Sequence, residues 1–258
     1  MMLQVGDHDV TTEVRNRPGR PRLYSCVARD HGDILAALRL RHRVFVGEMN
    51  AEIDHAESGI ERDRFDEHCI HLLVREDDSH RAVGTYRILS AAAAQLTGGF
   101  YSETEFDLCG LPQKVNRLFE IGRACVDPEY RNGAVIAMLW AGLFRYLSGQ
   151  KVDYVIGCAS VSLAEGRENA AAMCNRLMRD WLAPPQWRVV PRRAFLIGDA
   201  GDAPDSSIPA LIKGYLRLGA YVCGEPAFDP EFGTADMLMI LPMARMNARY
   251  LRHFARTA

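Results

Sequence analysis

The run from Glu120 to Ile136, Glu-Ile-Gly-Arg-Ala-Cys-Val-Asp-Pro-Glu-Tyr-Arg-Asn-Gly-Ala-Val-Ile, sets a carboxylate and a guanidinium three residues apart in an otherwise apolar segment. The first can take a proton and the second can hold an anion. Read as a strand over 118 to 126, the side chains alternate: Leu118, Glu120, Gly122, Ala124 and Val126 fall on one face, Phe119, Ile121, Arg123 and Cys125 on the other. Each apolar face then carries a charge, and charges are seldom buried without a partner or a task. Gly122 lies between them, where one extra residue would bring Glu120 and Arg123 to the same side, so the sequence predicts a bulge there.

Asp127-Pro128-Glu129-Tyr130 is a turn signal, and Arg131-Asn132-Gly133 then opens a run with Ile136, Leu139, Trp140, Leu143 and Leu147 at helical spacing. The free N–H groups of that helix's first turn, with Arg131 beside them, suit a pyrophosphate or a phosphopantetheine phosphate. The plainer alternative is an ordinary strand-turn-helix packed around Trp140.

Other charges lie on apolar faces. A helix over about 33 to 49 carries Ile34, Leu38, Phe45 and Met49 as one stripe with Arg41 inside it. A strand over 82 to 89 puts Arg87 with Val83, Thr85 and Leu89. With Asp63 and Asp66 on the polar loop between them, three arginines (Arg41, Arg87, Arg123) and three carboxylates (Asp63, Asp66, Glu120) are expected to meet in one site, each buried charge paired. Arg41 snorkelling at the core edge, and the others as plain surface charges, are the alternatives. Cys158 offers a competing covalent route, without an evident histidine base. His68, Cys69 and His71 point to opposite faces of a strand and lack a fourth ligand, so no metal is expected.

These elements sit in a chain of 258 residues, 48% hydrophobic with a formal net charge of −2, enough for a substantial core and without the basic balance of a nucleic-acid binder. The seven cysteines form no CxxC pair and read as reduced thiols of a cytosolic protein. The N-terminus lacks the pattern of a secretory signal. The longest apolar run, 133 to 144, falls short of the roughly 20 residues of a membrane span. Residues 1 to 21 read as a flexible arm and 22 to 258 as one α/β domain. Strands are predicted at 23 to 27, 70 to 74, 82 to 89, 153 to 160, 187 to 197, 220 to 224 and 236 to 241; helices fit 168 to 182 and 208 to 218, with a Gly, Asp, Pro and Ser-rich loop over 198 to 207 between them. A last helix over 244 to 256, with Met243, Met246, Tyr250 and Phe254 on one stripe and Arg245, Arg249 and Arg252 on another, has the pattern of a membrane-surface helix or of one packed on the core.

Arg41-His-Arg-Val-Phe45, Glu61-Arg-Asp63-Arg-Phe-Asp66, Val83-Gly-Thr-Tyr-Arg87 and Glu120-Ile-Gly-Arg123-Ala-Cys-Val126 together resemble the ordered signature of acyl-homoserine-lactone synthases. Met49-Asn50-Ala51 stands where those synthases carry a tryptophan. The longer resemblance, over about 35 to 255, is to the L-ornithine Nα-acyltransferases that make lyso-ornithine lipid, through Phe100-Tyr-Ser-Glu-Thr-Glu-Phe-Asp-Leu108, Leu139-Trp140 and Ala210-Leu-Ile-Lys-Gly-Tyr-Leu-Arg-Leu-Gly-Ala220. It implies a GNAT-like acyltransferase fold: a central twisted mixed sheet flanked by helices on both faces, with a gap between two middle strands for the donor's pantetheine arm. It also implies a 3-hydroxyacyl group and L-ornithine as acceptor in the first step of ornithine lipid biosynthesis, with no tightly bound cofactor. Val126, Arg131, Asn132, Gly133 and Ala134 would bind the donor phosphate. Their poverty in glycine favours acyl carrier protein over coenzyme A, since a carrier presents one phosphate.

N-acyl transfer needs a base for the amine, a hold on the amino acid and donors for the tetrahedral oxyanion. Glu120 is the expected base with Arg123 beside it; Arg41, Phe45, Asp63, Asp66 and Arg87 would contact substrate, the acids holding the ornithine ammonium and Arg87 or Arg123 its carboxylate. Arg188, Arg192 and Arg193, or the surroundings of Arg131, would dock an acidic carrier protein. The expected setting is cytoplasmic, with peripheral contact at the inner membrane face. Another amino-acid acceptor, a homoserine-lactone synthase and a silent carrier-binding module are the alternatives.

Overall fold

The structure, a computed structural model, describes residues 12–14, 21–53, 59–111, 117–198, 201 and 208–246. Its main sheet contains β1 (Thr12–Val14), β2 (Leu23–Val27), β3 (Ile70–Glu76), β4 (Ala82–Ser90), β6 (Leu118–Val126), β7 (Tyr154–Ser162), β9 (Tyr221–Val222), β10 (Ala227–Asp229) and β11 (Thr234–Pro242). The order is β1-β2-β3-β4-β6-β7-β11-β10, with β9 also paired to β11; β5 (Phe106–Asp107) and β8 (Val190–Pro191) form a separate ribbon. Every pairing in the main sheet is antiparallel except β6 with β7. Residues of β4 and β11 are buried almost throughout, Thr85 and Arg87 of β4 and Asp236 of β11 included, because both faces of the sheet are covered.

Neighbouring residues of β3 show how both faces are covered. Leu72 and Val74 pack with Val135, Met138 and Leu139 of α4 (Ala134–Gly149). Leu73 points the other way, into a cluster with Ala37 and Leu40 of α1 (His31–Arg41). Gly84 on β4 lets α4 approach, because a Cβ there would run into Val135 and Leu139. Helix α1 begins where the Asp30 carboxylate accepts the Asp33 N–H at 2.9 Å. It passes into a π-helical segment, His42–Val46, before ending.

The helices on 168 to 182 and 208 to 218 are realised as α5 (Arg167–Trp181) and α6 (Ala210–Leu218). Two short helices, α2 (Ala91–Leu96) and α3 (Ser102–Glu105), went unforeseen. The strand expected over 187 to 197 shrinks to β8, preceded by a 3₁₀ turn at Pro185–Trp187. Pro191, inside that span, lacks the N–H group that a longer ladder would require. Thr12–Val14, within the expected arm, pairs antiparallel with β2. Beyond a 3₁₀ turn at Met243–Arg245, the C-terminal helix expected to 256 lies outside the described residues. All seven cysteines are free thiols, and Cys109 is exposed. No helix among the described residues is long and apolar enough to cross a membrane.

The central feature is where β6 and β7 part. Their parallel pairing runs only from Leu118↔Tyr154 to Glu120↔Ile156; thereafter β6 stays with β4 and β7 with β11. At the fork a Cβ on Gly157 would strike the Ile121 carbonyl oxygen, so the close approach there depends on glycine. Beyond Glu120 no strand among the described residues pairs with this edge of β6.

Candidate active site

The predicted bulge is present. Thr85 faces Cys125 while Arg87 faces Gly122, so three steps along β6 match two along β4. Arg123 takes up the extra residue with φ +50°, a left-handed conformation uncommon outside glycine. Alternation is broken as a result, and Glu120, Gly122, Arg123 and Ala124 all line one cavity of about 200 Å³ at the fork. The same cavity is lined by Phe45 from the π-helical segment, Arg87, Tyr101, Cys158, Ser160, Tyr215 and Phe232.

Behind it three arginines meet three carboxylates. Arg41, fully buried, donates to Glu61 and in a fork to Asp66 at 2.6 and 3.1 Å. Arg87 donates to Asp63 at 2.6 Å and to Asp66 at 3.0 Å. Arg123 lies 3.3 Å from both Glu61 and Asp63, the loosest contacts of the set. Burial pushes the Asp66 carboxyl up, but Arg41 and Arg87 outweigh it and hold it well below the ordinary range. The third carboxylate is thus Glu61, not the expected Glu120; the sequence had placed it two residues before Asp63 in a polar loop without marking its burial. With its charges matched, this network leaves Asp63 and Asp66 little capacity for a substrate ammonium.

Glu120 stands apart. Its Oε1 accepts from the Ser102 N–H at 2.8 Å and from the Ser102 hydroxyl, and its Oε2 accepts from the Tyr101 N–H at 2.7 Å. Burial raises its pKa, while the Ser102 and Tyr101 bonds pull it back. Among the described residues these three donors meet the roughly four lone-pair sites of a carboxylate, which leaves one on Oε2 for a substrate. The Arg123 guanidinium lies between two rings, 4.6 Å from the centroid of Tyr101 and 5.1 Å from that of Phe232, and Phe232 meets Phe45 edge-on at 5.4 Å.

Across the fork is a group of acids that sequence reasoning missed: Asp236 on β11, Asp229 on β10 and Glu105 of α3. Asp229 Oδ1 accepts the N–H groups of Glu231 and Phe232 at 2.8 and 3.2 Å, and Asp236 Oδ1 accepts the Thr234 hydroxyl at 2.6 Å. Burial, then repulsion by Asp236 and Asp229, pushes Glu105 up to about 9; burial, aided by Asp229, pushes Asp236 up to about 6 despite the Thr234 bond. Ligand atoms of Glu105, Cys158 and Asp236 lie within 4.8 Å of one another. They could hold a metal, though a structural zinc site takes four ligands. Burial and the nearby Glu105 push the Cys158 thiol far up, which opposes formation of the thiolate a covalent route requires. A signal existed in Thr234-Ala-Asp236, an acid in the middle of an apolar strand.

A second cavity of about 30 Å³ adjoins the first through Ile121 and Tyr215 and is apolar, with Trp140, Phe144, Leu147 and Met239 in its wall. Trp140 stacks on Tyr215 at 5.8 Å, and the Tyr215 hydroxyl bonds that of Tyr86.

At the start of α4, Gly133 takes φ +88° as N-cap and the Asn132 side chain accepts the Ala134 N–H at 3.0 Å. Arg131 forks onto Glu48, with Nη2 2.6 Å from Oε2, and its Nε donates to the Val126 carbonyl at 3.2 Å. Arg188 and Arg192 donate to the carbonyls of Ala183 and Glu103, and Arg193 lies over Phe228. His71 Nε2 is 3.0 Å from the Asp66 carbonyl oxygen.

Residues 40–141 match the family model described as an acetyltransferase (GNAT) domain. The L-ornithine N(alpha)-acyltransferase of Agrobacterium fabrum is 35% identical over 249 residues, spanning 88% of this chain and 83% of that protein. That of Rhodobacter capsulatus is 36% identical over 247 residues, 89% of this chain and 93% of its own. Among solved structures, the CoA-dependent acyl-homoserine lactone synthase BjaI aligns with TM-score 0.53 at 17% identity, covering 88% of this chain and 83% of its own. FeeM, an N-acyl amino acid synthase from uncultured soil microbes, aligns with TM-score 0.54 at 12% identity, covering 88% and 94%. These two share the fold; the identity to the first two runs along nearly the whole chain, which therefore belongs to the L-ornithine Nα-acyltransferase family, N-acyltransferases built on the GNAT fold.

Proposed function

We propose that the protein transfers a 3-hydroxy fatty acyl group from acyl carrier protein to the α-amine of L-ornithine, the first step of ornithine lipid formation. The observation that carries this reading is the bulge at Arg123, which turns Glu120 and Arg123 into one cavity at the fork of β6 and β7. The donor's pantetheine arm enters between the parted strands, with its phosphate at the start of α4 among Arg131, Asn132, Gly133, Ala134 and the Val126 backbone. Arg131 exchanges its Glu48 partner for that phosphate. The acyl chain runs into the apolar cavity past Trp140, and the Tyr86–Tyr215 hydroxyl pair reads the 3-hydroxyl group. A carrier protein docks on the arginines around Arg188 and Arg192.

The acceptor's carboxylate goes to Arg123, the arginine least tightly held by carboxylates, with Arg87 behind it and Phe45 and Phe232 closing the wall. The open lone pair of Glu120 Oε2 takes the α-ammonium proton, directly or through a water. The amine attacks the thioester carbonyl, a C–N bond forms, the C–S bond breaks, the proton held by Glu120 passes to the departing thiolate, and the surplus proton of the acylated nitrogen leaves to solvent water. An α-amine titrates near pH 8 and a lysine-like side-chain amine near 10.4, so reaction at the α-position saves about 2.5 units, roughly 3.4 kcal/mol, of deprotonation. The basic and apolar residues of the sequence from Met243 to Phe254 would bring the enzyme to an anionic membrane; liposome pelleting without binding removes that part.

The test offers amino acids one at a time with 3-hydroxyacyl carrier protein. An amide of ornithine supports the reading. An amide of another amino acid, or a lactone from S-adenosylmethionine, replaces the acceptor; acyl-CoA used in preference to the carrier replaces the donor.

A further inference from the structure

We propose that Glu105, Asp229 and Asp236 form the subsite for the acceptor's side-chain ammonium, selecting amino acids that carry a second cationic group. This rests on the reading of the cavity as an amino-acid N-acylation site.

The sheet itself makes the cavity bipolar. Arg87 and Arg123 stand on β4 and β6, on one side of the fork; Asp236 and Asp229 stand on β11 and β10, on the other. On the basic side the charges cancel, since Arg41, Arg87 and Arg123 meet Glu61, Asp63 and Asp66. On the acidic side, among the described residues, no lysine or arginine comes within ion-pair distance of the three acids. Asp236 and Asp229 are 4% and 7% exposed. Both carboxyl oxygens of Glu105 are shut off from solvent, with only the neutral Tyr101 hydroxyl and Cys158 thiol beside them as donors. Buried acids crowded together without a cation ask for one. The cavity reaches this group through Asp229, Asp236, Cys158 and Ser160, and the opposite wall holds Arg123. A zwitterionic amino acid with its carboxylate at Arg123 therefore directs its side chain at the acids. A terminal ammonium supplies up to three N–H donors, one for each carboxyl. Burial, then repulsion by Asp236 and Asp229, raises the Glu105 carboxyl, and a cation beside the trio relieves that repulsion.

Steady-state acylation of ornithine and of norvaline, the same chain without the ammonium, decides the matter in wild type and in the Asp236→Asn and Glu105→Gln variants. Both substitutions keep volume, and melting curves confirm that each variant folds. The expected result is a strong wild-type preference for ornithine. In each variant kcat/KM for ornithine falls about thirtyfold or more, as when one partner of a buried charge pair is removed, while norvaline stays within about threefold of wild type. Equal losses on both substrates, or ornithine turnover unchanged, overturn the subsite. Wild-type enzyme that acylates norvaline as well as ornithine overturns it too, while N-acyl transfer stands. Acylation of neither removes the underlying reading and the subsite with it. A chelator arm covers the remaining chemistry: loss of ornithine turnover in EDTA with recovery on zinc makes Glu105, Cys158 and Asp236 a metal site and overturns the proposal.

Discussion

Tyr101 touches Arg123 and Glu120 at once: its ring lies 4.6 Å from the Arg123 guanidinium and its backbone N–H donates to Glu120 at 2.7 Å. Phe at this position keeps both contacts and loses only the hydroxyl beside Arg123 and Glu105, so Tyr101→Phe is expected to retain more activity than Tyr101→Ala. Tyr101→Ala keeps the N–H but frees the guanidinium, and a desolvated cation–π contact of about 2 kcal/mol corresponds to a roughly thirtyfold fall in kcat/KM. Amino-acid saturation curves for the two variants make the comparison.

Asp66 receives both Arg41 and Arg87, and its carboxyl is held below the ordinary range. A depressed carboxylate stabilises the fold above its unfolded pKa of about 3.9, and that stability is lost as pH falls toward the folded value. Asp66→Asn leaves two buried arginines underpaired and is expected to cost about 3–5 kcal/mol at pH 7. Urea unfolding at pH 7 and pH 4 should show the difference between variant and parent narrowing at the lower pH.

Glu105 has the opposite sign. Its unfolded pKa is about 4.3, whereas the folded group titrates at about 9, so between those values the native state holds a proton that the unfolded state has released. Stability falls as pH rises through this window. Glu105→Gln removes that slope: the ligand-free variant should melt higher than the parent at pH 8 and alike near pH 4. Thermal scans across pH 4–9 check this, and identical slopes for the two proteins contradict the assignment.

Gly214 on α6 leaves room for Trp140: a Cβ there would overlap the indole ring. Gly214→Ala is expected to push Trp140 off its stack with Tyr215, lower Tm and shift the preferred acyl chain toward shorter lengths, read from product masses with a mixed pool of donors. Tyr215→Phe should erase any preference for 3-hydroxyacyl over unsubstituted chains while keeping the apolar wall.

Much of this arrangement was legible because charge inside an apolar pattern is conspicuous. Arg41, Arg87 and Arg123 each interrupt an apolar stripe, and Gly122 marked where β6 bulges. Glu61 and Glu105 were harder: both lie in polar surroundings, Glu61 in a loop and Glu105 in Ser-Glu-Thr-Glu, where burial comes only from what packs over them. Alternation alone would have put Glu120 and Arg123 on opposite faces. The sequence reading put Glu120 among the arginines, whereas the Tyr101 and Ser102 backbone holds it, through a turn that local periodicity does not announce. The proline at 191 argues against the strand over 187 to 197.

The most direct test incubates purified protein with 3-hydroxyacyl carrier protein and L-ornithine and identifies products by mass spectrometry, in parallel with Glu120→Gln. The account predicts an Nα-acyl ornithine amide whose formation falls 100-fold or more in the variant, the usual range for loss of a general base. Release of free fatty acid alone, or a variant within about threefold of the parent, contradicts it.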